Sequence, residues 1–299
     1  MLSQLNLYLQ SFIRYLINIM DIFRTKAELQ DKITQLKEKN HTIGFVPTMG
    51  ALHEGHISLV KCCNRENDIT VVSIFVNPTQ FNDRADYEKY PRDVQKDIDW
   101  LKKYNCDIVF NPSETEMYPE PDNRTFDFGD LDKILEGYFR PGHFNGVAKI
   151  VSKLFDYVRP HKAYFGEKDF QQLAIIRQLT EKENMNIGIV GCPIVREDDG
   201  LAMSSRNKRL NSDERKNATE ISRVLFESRA RKDDMTIEEI KNQVKDQLNK
   251  NVYINVEYFD IVDEKDLKPV RSWAESKNIR GVIAAWVGNI RLIDNIKYE

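Results

Sequence analysis

Gly44–Val60 reads GFVPTMGALHEGHISLV. Its opening, GFVPT, is an apolar run of strand length that ends at a proline; two glycines follow, Gly50 and Gly55, and an apolar-periodic stretch begins at Ile57. Strand, glycine-bearing turn and helix in that order make the first half of a βαβ unit. Two of the chain's five histidines, His53 and His56, fall in the turn, three residues apart.

The same grammar continues outward. Upstream, AELQDKITQLKEKN carries Leu29, Ile33 and Leu36 at helical spacing between charges. Downstream, the β-branched DITVVSIFVN, the helical PRDVQKDIDWLKKY, the short strand CDIVFNP and the helical GVAKIVSKLFDYVRP follow in turn. HKAYFG, DFQQLAIIRQLTEKEN and NIGIVGCPIV repeat the theme. Strands alternating with such helices predict an α/β, Rossmann-like doubly wound parallel sheet. From Arg196 the pattern changes: a polar loop, helices at Ser212–Ala230 and Thr236–Asn249, then strand-like VEYFDIVD, NIRGVIAAWVG and NIRLIDNIKY without comparable helices between them. That order suits a small antiparallel sheet. The expected division is therefore residues 21–194 as a Rossmann-like domain and 195–299 as a smaller C-terminal α+β lid domain.

Residues 1–20, MLSQLNLYLQSFIRYLINIM, are apolar but interrupted by polar side chains and by Arg14. A signal peptide and a membrane span both fit them poorly. They are set aside as an N-terminal extension, with Met20 opening the domain.

With 44 basic and 47 acidic residues in 299, the formal net charge is -3. No global attraction to nucleic acid or to an anionic membrane follows, so any anion must be held by a local site. The four cysteines, Cys62, Cys63, Cys106 and Cys192, make neither a C-x-x-C pair nor a secreted disulfide framework. The expected compartment is the reducing cytoplasm.

Open α/β sheets bind ligands beyond the carboxyl ends of their strands, at helix N-termini with unpaired amides. His53 and His56 fall there, able to donate to phosphate oxygens, and Gly50 and Gly55 allow close backbone approach. Local hydrogen bonding between two loop histidines is the competing explanation, and spacing alone does not separate them. A zinc-type H-E-x-x-H would need the second histidine one position later. Lys168, between two acids, has an equally plain alternative as a solvated surface charge.

PTMGALHEGH at 47–56 resembles the signature of the H-x-G-H nucleotidyltransferases, and in its full form that of the pantothenate synthetase (pantoate:β-alanine ligase) family. FVNPTQF at 75–81, RPGHFNGV at 140–147, YFGEKDFQQL at 164–173 and MSSRN at 203–207 agree in order and spacing, and the resemblance extends over residues 21 to 299. It implies an ATP-dependent condensation of pantoate with β-alanine through a pantoyl adenylate, releasing pyrophosphate and AMP. It further implies a homodimer; the charge balance and the N-terminal segment point to no nucleic-acid or membrane partner.

The resemblance also implies site residues. His53 and His56 face the phosphates, His56 as the position usually assigned as general acid; Lys168 binds phosphate; Arg206 closes over the triphosphate. The ATP site takes in Met49, Gly50, Ala51, Leu52, His53, Glu54, Gly55 and His56, then Gly166, Glu167, Lys168 and Asp169, then Val195, Met203, Ser204, Ser205 and Arg206. Gln80 and Gln172 contact pantoate, a dihydroxy acid whose groups suit neutral amides. Asn77 and Arg140 are lesser candidates near the pocket, and His143 is expected to stabilise its own turn. Mg²⁺ is expected with the triphosphate. Some relatives are acidic where this chain has Gln95 and Lys96, leaving Asp97 as the one candidate ligand. The alternatives are another H-x-G-H nucleotidyltransferase or a catalytically silent nucleotide-binding protein.

Overall fold

The computed structural model describes residues 20–298. The N-terminal extension thus lies outside the described residues except for Met20, which is buried.

The N-terminal part runs β1 (Asp21–Phe23), α1 (Lys26–Glu38), β2 (Ile43–Thr48), α2 (Glu54–Glu66), β3 (Ile69–Ile74), α3 (Arg84–Glu88), α4 (Val94–Lys103), β4 (Ile108–Phe110), α5 (Glu114–Met117), α6 (Glu136–Phe139), α7 (His143–Val158), β5 (Lys162–Gly166), α8 (Phe170–Lys182) and β6 (Gly188–Cys192). Its six strands are all parallel, in the order β1-β4-β3-β2-β5-β6. Every residue of β3 is buried because helices cover both faces. Val71 points into a core with Leu29 and Ile33 of α1 and Phe155 of α7, whereas Val72 points into one with Leu59 of α2 and Leu101 of α4. A doubly wound sheet is what the alternation predicts. The sequence pattern does not anticipate β1; three residues are too few to show a period.

From β2 the chain builds outward to β3 on one side; after β4 it crosses to the other side and lays down β5 and β6. Direction therefore reverses between β2 and β5, and the loops leaving those two strands diverge to open a crevice.

The C-terminal part comprises α9 (Ser212–Ala230), α10 (Ile237–Asn249), β7 (Ile254–Asp263), β8 (Ile279–Val287) and β9 (Ile290–Tyr298). Both helices begin in capping boxes, Asn211 with Glu214 and Thr236 with Glu239, which satisfy the first free amides. The strands form an antiparallel meander, as expected, and bury Phe259, Ile283 and Leu292 against Leu225, Ile240 and Val244. The two parts meet through an apolar cluster of Phe170 with Val262, Leu267 and Val282, and through polar contacts. Arg291 of β9 pairs with Glu136 of α6 at 2.7 Å and with Glu257 of β7 at 2.5 Å. Asn295 donates to the carbonyls of Glu167 and Lys168 at 2.8 and 3.1 Å. The loop after β5 is thereby held by the C-terminal sheet. Among the described residues no helix is long and apolar enough to cross a membrane.

Candidate active site

The crevice begins with the turn after β2. His53 is the N-cap of α2, its Nδ1 accepting the Gly55 amide at 3.2 Å, while His56 Nδ1 accepts the His53 amide at 3.3 Å. An Nδ1 that accepts an N–H carries no proton, so both rings are Nε2–H tautomers. The rings lie 4.1 Å apart, centroid to centroid. Burial, then the charges of Lys168 and Lys208, pushes the His53 pKa down to about 4. Burial, then His53 and Lys168, holds that of His56 well below the usual imidazole range. At neutral pH the turn offers two neutral Nε2–H donors.

Its backbone is pinned from α4. Gly50 and Ala51 take left-handed φ of 75° and 50°, and the amides of Ala51 and Leu52 both donate to Asp97 at 2.8 Å. Asp97 is buried, and that burial raises its pKa. A carboxylate engaged by two amides in this way is a support for the turn. Its placement does not suit the metal ligand considered from the sequence, and it lies outside the lining of the crevice.

After β3, Asn77 caps a tight turn over Pro78–Gln80. Its amide donates to Gln80 Oε1 at 3.0 Å and to the Gly146 carbonyl at 3.2 Å, and its oxygen accepts from the Tyr118 hydroxyl at 2.7 Å. Gly146 of α7 is pressed against this turn: a Cβ there would meet the Thr79 carbonyl oxygen at 2.2 Å. Burial pushes His143 down to about 3, leaving it neutral, and its Nδ1–H donates to the Gln80 carbonyl at 2.8 Å. His143 is a support, but its ring fastens α7 to the Gln80 turn and not to its own.

The loop after β5 brings Lys168, 18% exposed, whose Nζ lies 3.9 Å from Asp169; Gln172 follows in the first turn of α8. After β6, the Met203 amide bonds the Val195 carbonyl at 3.0 Å and Ser204 caps a short helical turn over Ser205–Arg209. Arg206 and Arg209 share the carboxylate of Asp86, at 2.8 and 2.7 Å.

These loops enclose one cleft of about 210 Å³. Met49, His53, Gly55, His56, Gln80, Gly166, Lys168, Asp169, Gln172, Val195, Met203, Ser204, Ser205 and Arg206 all line it. Five of the ATP-site candidates do not. Gly50, Ala51 and Leu52 face Asp97; Glu54 turns toward Tyr104 and Lys61; Glu167 accepts from Arg280. Tyr90, whose hydroxyl lies 3.3 Å from Ser205 Oγ, and Asp86, which holds Arg206, belong to the site although nothing in the sequence points to them. Neither stands in a segment with a recognisable period or motif. Among the described residues no group of three or more His, Cys, Asp or Glu side chains could hold a metal ion.

A sequence model of the family described as pantoate-beta-alanine ligase matches residues 21–297. Pantothenate synthetase from Bacteroides fragilis is 52% identical over 280 residues, covering 94% of this chain and 99% of the relative. The Porphyromonas gingivalis enzyme of that name is 51% identical over 280 residues, covering 94% and 100%. Among solved structures, pantothenate synthetase from Thermus thermophilus superposes with a TM-score of 0.88 at 39% identity, over 93% of this chain and 99% of its own. Pantoate-beta-alanine ligase from Francisella tularensis, complexed with beta-gamma ATP and β-alanine, does so at 0.79 and 38% identity, over 94% and 98%.

Proposed function

This chain belongs to the pantoate-beta-alanine ligase family, and from that premise we propose how its own residues carry the reaction. It is a carbon–nitrogen ligase that condenses pantoate with β-alanine, driven by ATP. The observation that supports the residue assignment is the convergence, in one cleft, of His53, His56, Lys168 and Arg206 with the amides of Gln80 and Gln172.

In the first step a pantoate carboxylate oxygen attacks the α-phosphorus of ATP, and the bond to pyrophosphate breaks. Negative charge builds on the phosphoryl oxygens and the leaving group, which calls for placed donors and cations. The two Nε2–H groups, the Lys168 ammonium and the Arg206 guanidinium supply them. Burial keeps His56 neutral in the ligand-free site, so it offers Nε2–H to the phosphates; the general-acid role that the resemblance implies requires that it take up a proton beside the triphosphate. Gln80 and Gln172 orient the hydroxy acid. In the second step the β-alanine amine attacks the acyl carbon, the bond to AMP breaks, and the new amide nitrogen loses its proton.

Magnesium belongs to this proposal as a companion of the triphosphate. The described residues form no carboxylate cage for it, but such an ion keeps waters and phosphate oxygens as its main ligands, and Asp169 is the carboxylate at the cleft. Residues 195–298 carry Arg206 and are read as the closing piece, with Asp86 holding the guanidinium until phosphate replaces it. A homodimer in the cytoplasm completes the reading, the latter in keeping with four free thiols.

The test is substrate dependence. Pyrophosphate release from ATP should require pantoate, and AMP release should require β-alanine as well. Release with other acids but not pantoate overturns the assignment; pyrophosphate without AMP in the full mixture favours a nucleotidyltransferase that stops after one step.

A further inference from the structure

Arg140, in the turn between α6 and α7, is a largely enclosed cation that the proposed steps leave unused. Its side chain is 24% exposed, and the nearest carboxylate, Glu136, stands 3.7 Å away. That carboxylate is already engaged: Arg291 donates to both its oxygens at 2.7 and 2.8 Å, and the Tyr258 hydroxyl adds a third bond at 2.7 Å. Among the described residues the Arg140 guanidinium makes no hydrogen bond. Burial and the nearby charges of Arg206 and Arg291 lower its pKa, against the pull of Glu136. An arginine stays protonated regardless. The result is five N–H donors in a confined place without a protein hydrogen-bond acceptor, an arrangement that native proteins complete with water or a ligand.

Arg140 faces a small space of about 30 Å³, whose walls include Lys168, Asp169 and Gln172. Those three residues line the main cleft too, so the two spaces adjoin. The volume admits a group the size of a carboxylate and excludes a nucleotide. Of the substrates, pantoate spends its carboxylate in the chemistry and ATP presents its phosphates to the other cations. β-Alanine keeps a carboxylate that does not react, two methylene carbons from its amine.

We propose that Arg140 anchors the carboxylate of the amine substrate through a paired guanidinium–carboxylate contact, and so selects an amino acid of this length over a neutral amine. The proposal rests on the ligase reading. Arginine's planar fork matches a carboxylate at two points, which lysine cannot reproduce.

The experiment compares β-alanine with its neutral amide, 3-aminopropanamide, as acceptors in AMP release. The parent protein should favour β-alanine in kcat/KM by about tenfold to hundredfold, the range for hydrogen bonds to a charged group. Arg140→Gln should raise the KM for β-alanine by a similar factor and bring the ratio of the two acceptors close to unity. Arg140→Lys should fall between, and it stands in if the glutamine variant does not fold. Equal use of both acceptors by the parent protein overturns the proposal, as does a variant that slows both acceptors by the same factor, the mark of a structural role. Pyrophosphate release from ATP and pantoate without any amine separates the two levels: its absence in the parent sinks the ligase reading and this anchor together, whereas the amide result sinks the anchor alone.

Discussion

Asp97 and Leu52 are joined by a 2.8 Å hydrogen bond from the Leu52 amide to Oδ1, and Oδ2 takes the Ala51 amide at the same distance. One buried carboxylate on α4 thus fixes the turn that aims both imidazoles, including the left-handed Ala51 at φ 50°. Asp97→Asn keeps the volume but turns an NH₂ group toward one of two N–H donors, leaving a buried amide unpaired at a cost of about 1 to 3 kcal/mol. Thermal unfolding should show that loss. The adenylation rate should fall about tenfold, because misplacement of catalytic groups by fractions of an ångström already slows chemistry. A variant with the parent's stability and rate would remove the supporting role.

Gly146 acts on the cleft only through the turn that carries Gln80. Its Cα abuts the backbone of Thr79 and Gln80, so the Cβ of alanine would collide with carbonyl oxygen and carbon at 2.2 and 2.6 Å. Backbone cannot swing aside as a side chain can, and the turn bearing Gln80 must shift. Gly146→Ala should therefore raise the KM for pantoate by about tenfold or more while changing that for ATP much less. Steady-state kinetics with each substrate varied in turn decides it; equal effects on both would indicate general damage.

The pH dependence of stability follows from His53. Its folded pKa of about 4 lies below the ordinary 6.5, so the neutral form is favoured on folding. A depressed pKa gives stability that is full above the unfolded value and is lost as pH falls through the folded one. The window is thus pH 6.5 down to about 4, and the shift corresponds to about 3 kcal/mol. His53→Asn keeps a good N-cap residue and removes the titration. Urea unfolding from neutral pH into this window should show a shallower decline for the variant than for the parent. Parallel curves would mean that His53 titrates normally.

How far the sequence reveals this site depends on how local the determinant is. DITVVSIFVN shows as a strand because burial on both faces makes it apolar throughout, and the glycine-bearing turn before α2 is written in adjacent residues. The H-x-G-H block, however, treats consecutive residues alike, whereas the chain turns: Met49, His53, Gly55 and His56 face the cleft while Gly50 to Leu52 face α4 and Glu54 faces Tyr104. Asp97 looks like one acid among several on an amphipathic helix until the fold lays it under that turn. Tyr90 and Asp86 acquire a place only through Ser205 and Arg206, which arrive from beyond the parallel sheet. Partners remote in sequence leave no local period, so these two residues are silent until the chain is folded.

Arg291 tests the junction between the two sheets. Its guanidinium joins Glu136, buried on α6, to Glu257 on β7, and Glu136 receives the Tyr258 hydroxyl as well. Burial alone would raise the Glu136 pKa, but the Arg291 contacts outweigh it and hold the carboxyl down at about 2. Arg291→Met preserves the apolar stem and removes the charge, stranding two carboxylates in a confined space. Breaking one side of a buried pair costs about 3 to 5 kcal/mol, and each kcal/mol lowers the midpoint of a chain this size by about 2 to 4 °C. With Arg291 gone, burial should raise the Glu136 pKa, so the loss should be greatest near neutral pH and shrink on mild acidification as Glu136 takes up a proton. Calorimetry at neutral and mildly acidic pH measures both the size and its direction. A variant melting with the parent at neutral pH would show that the Arg291 pair does not hold the sheets together.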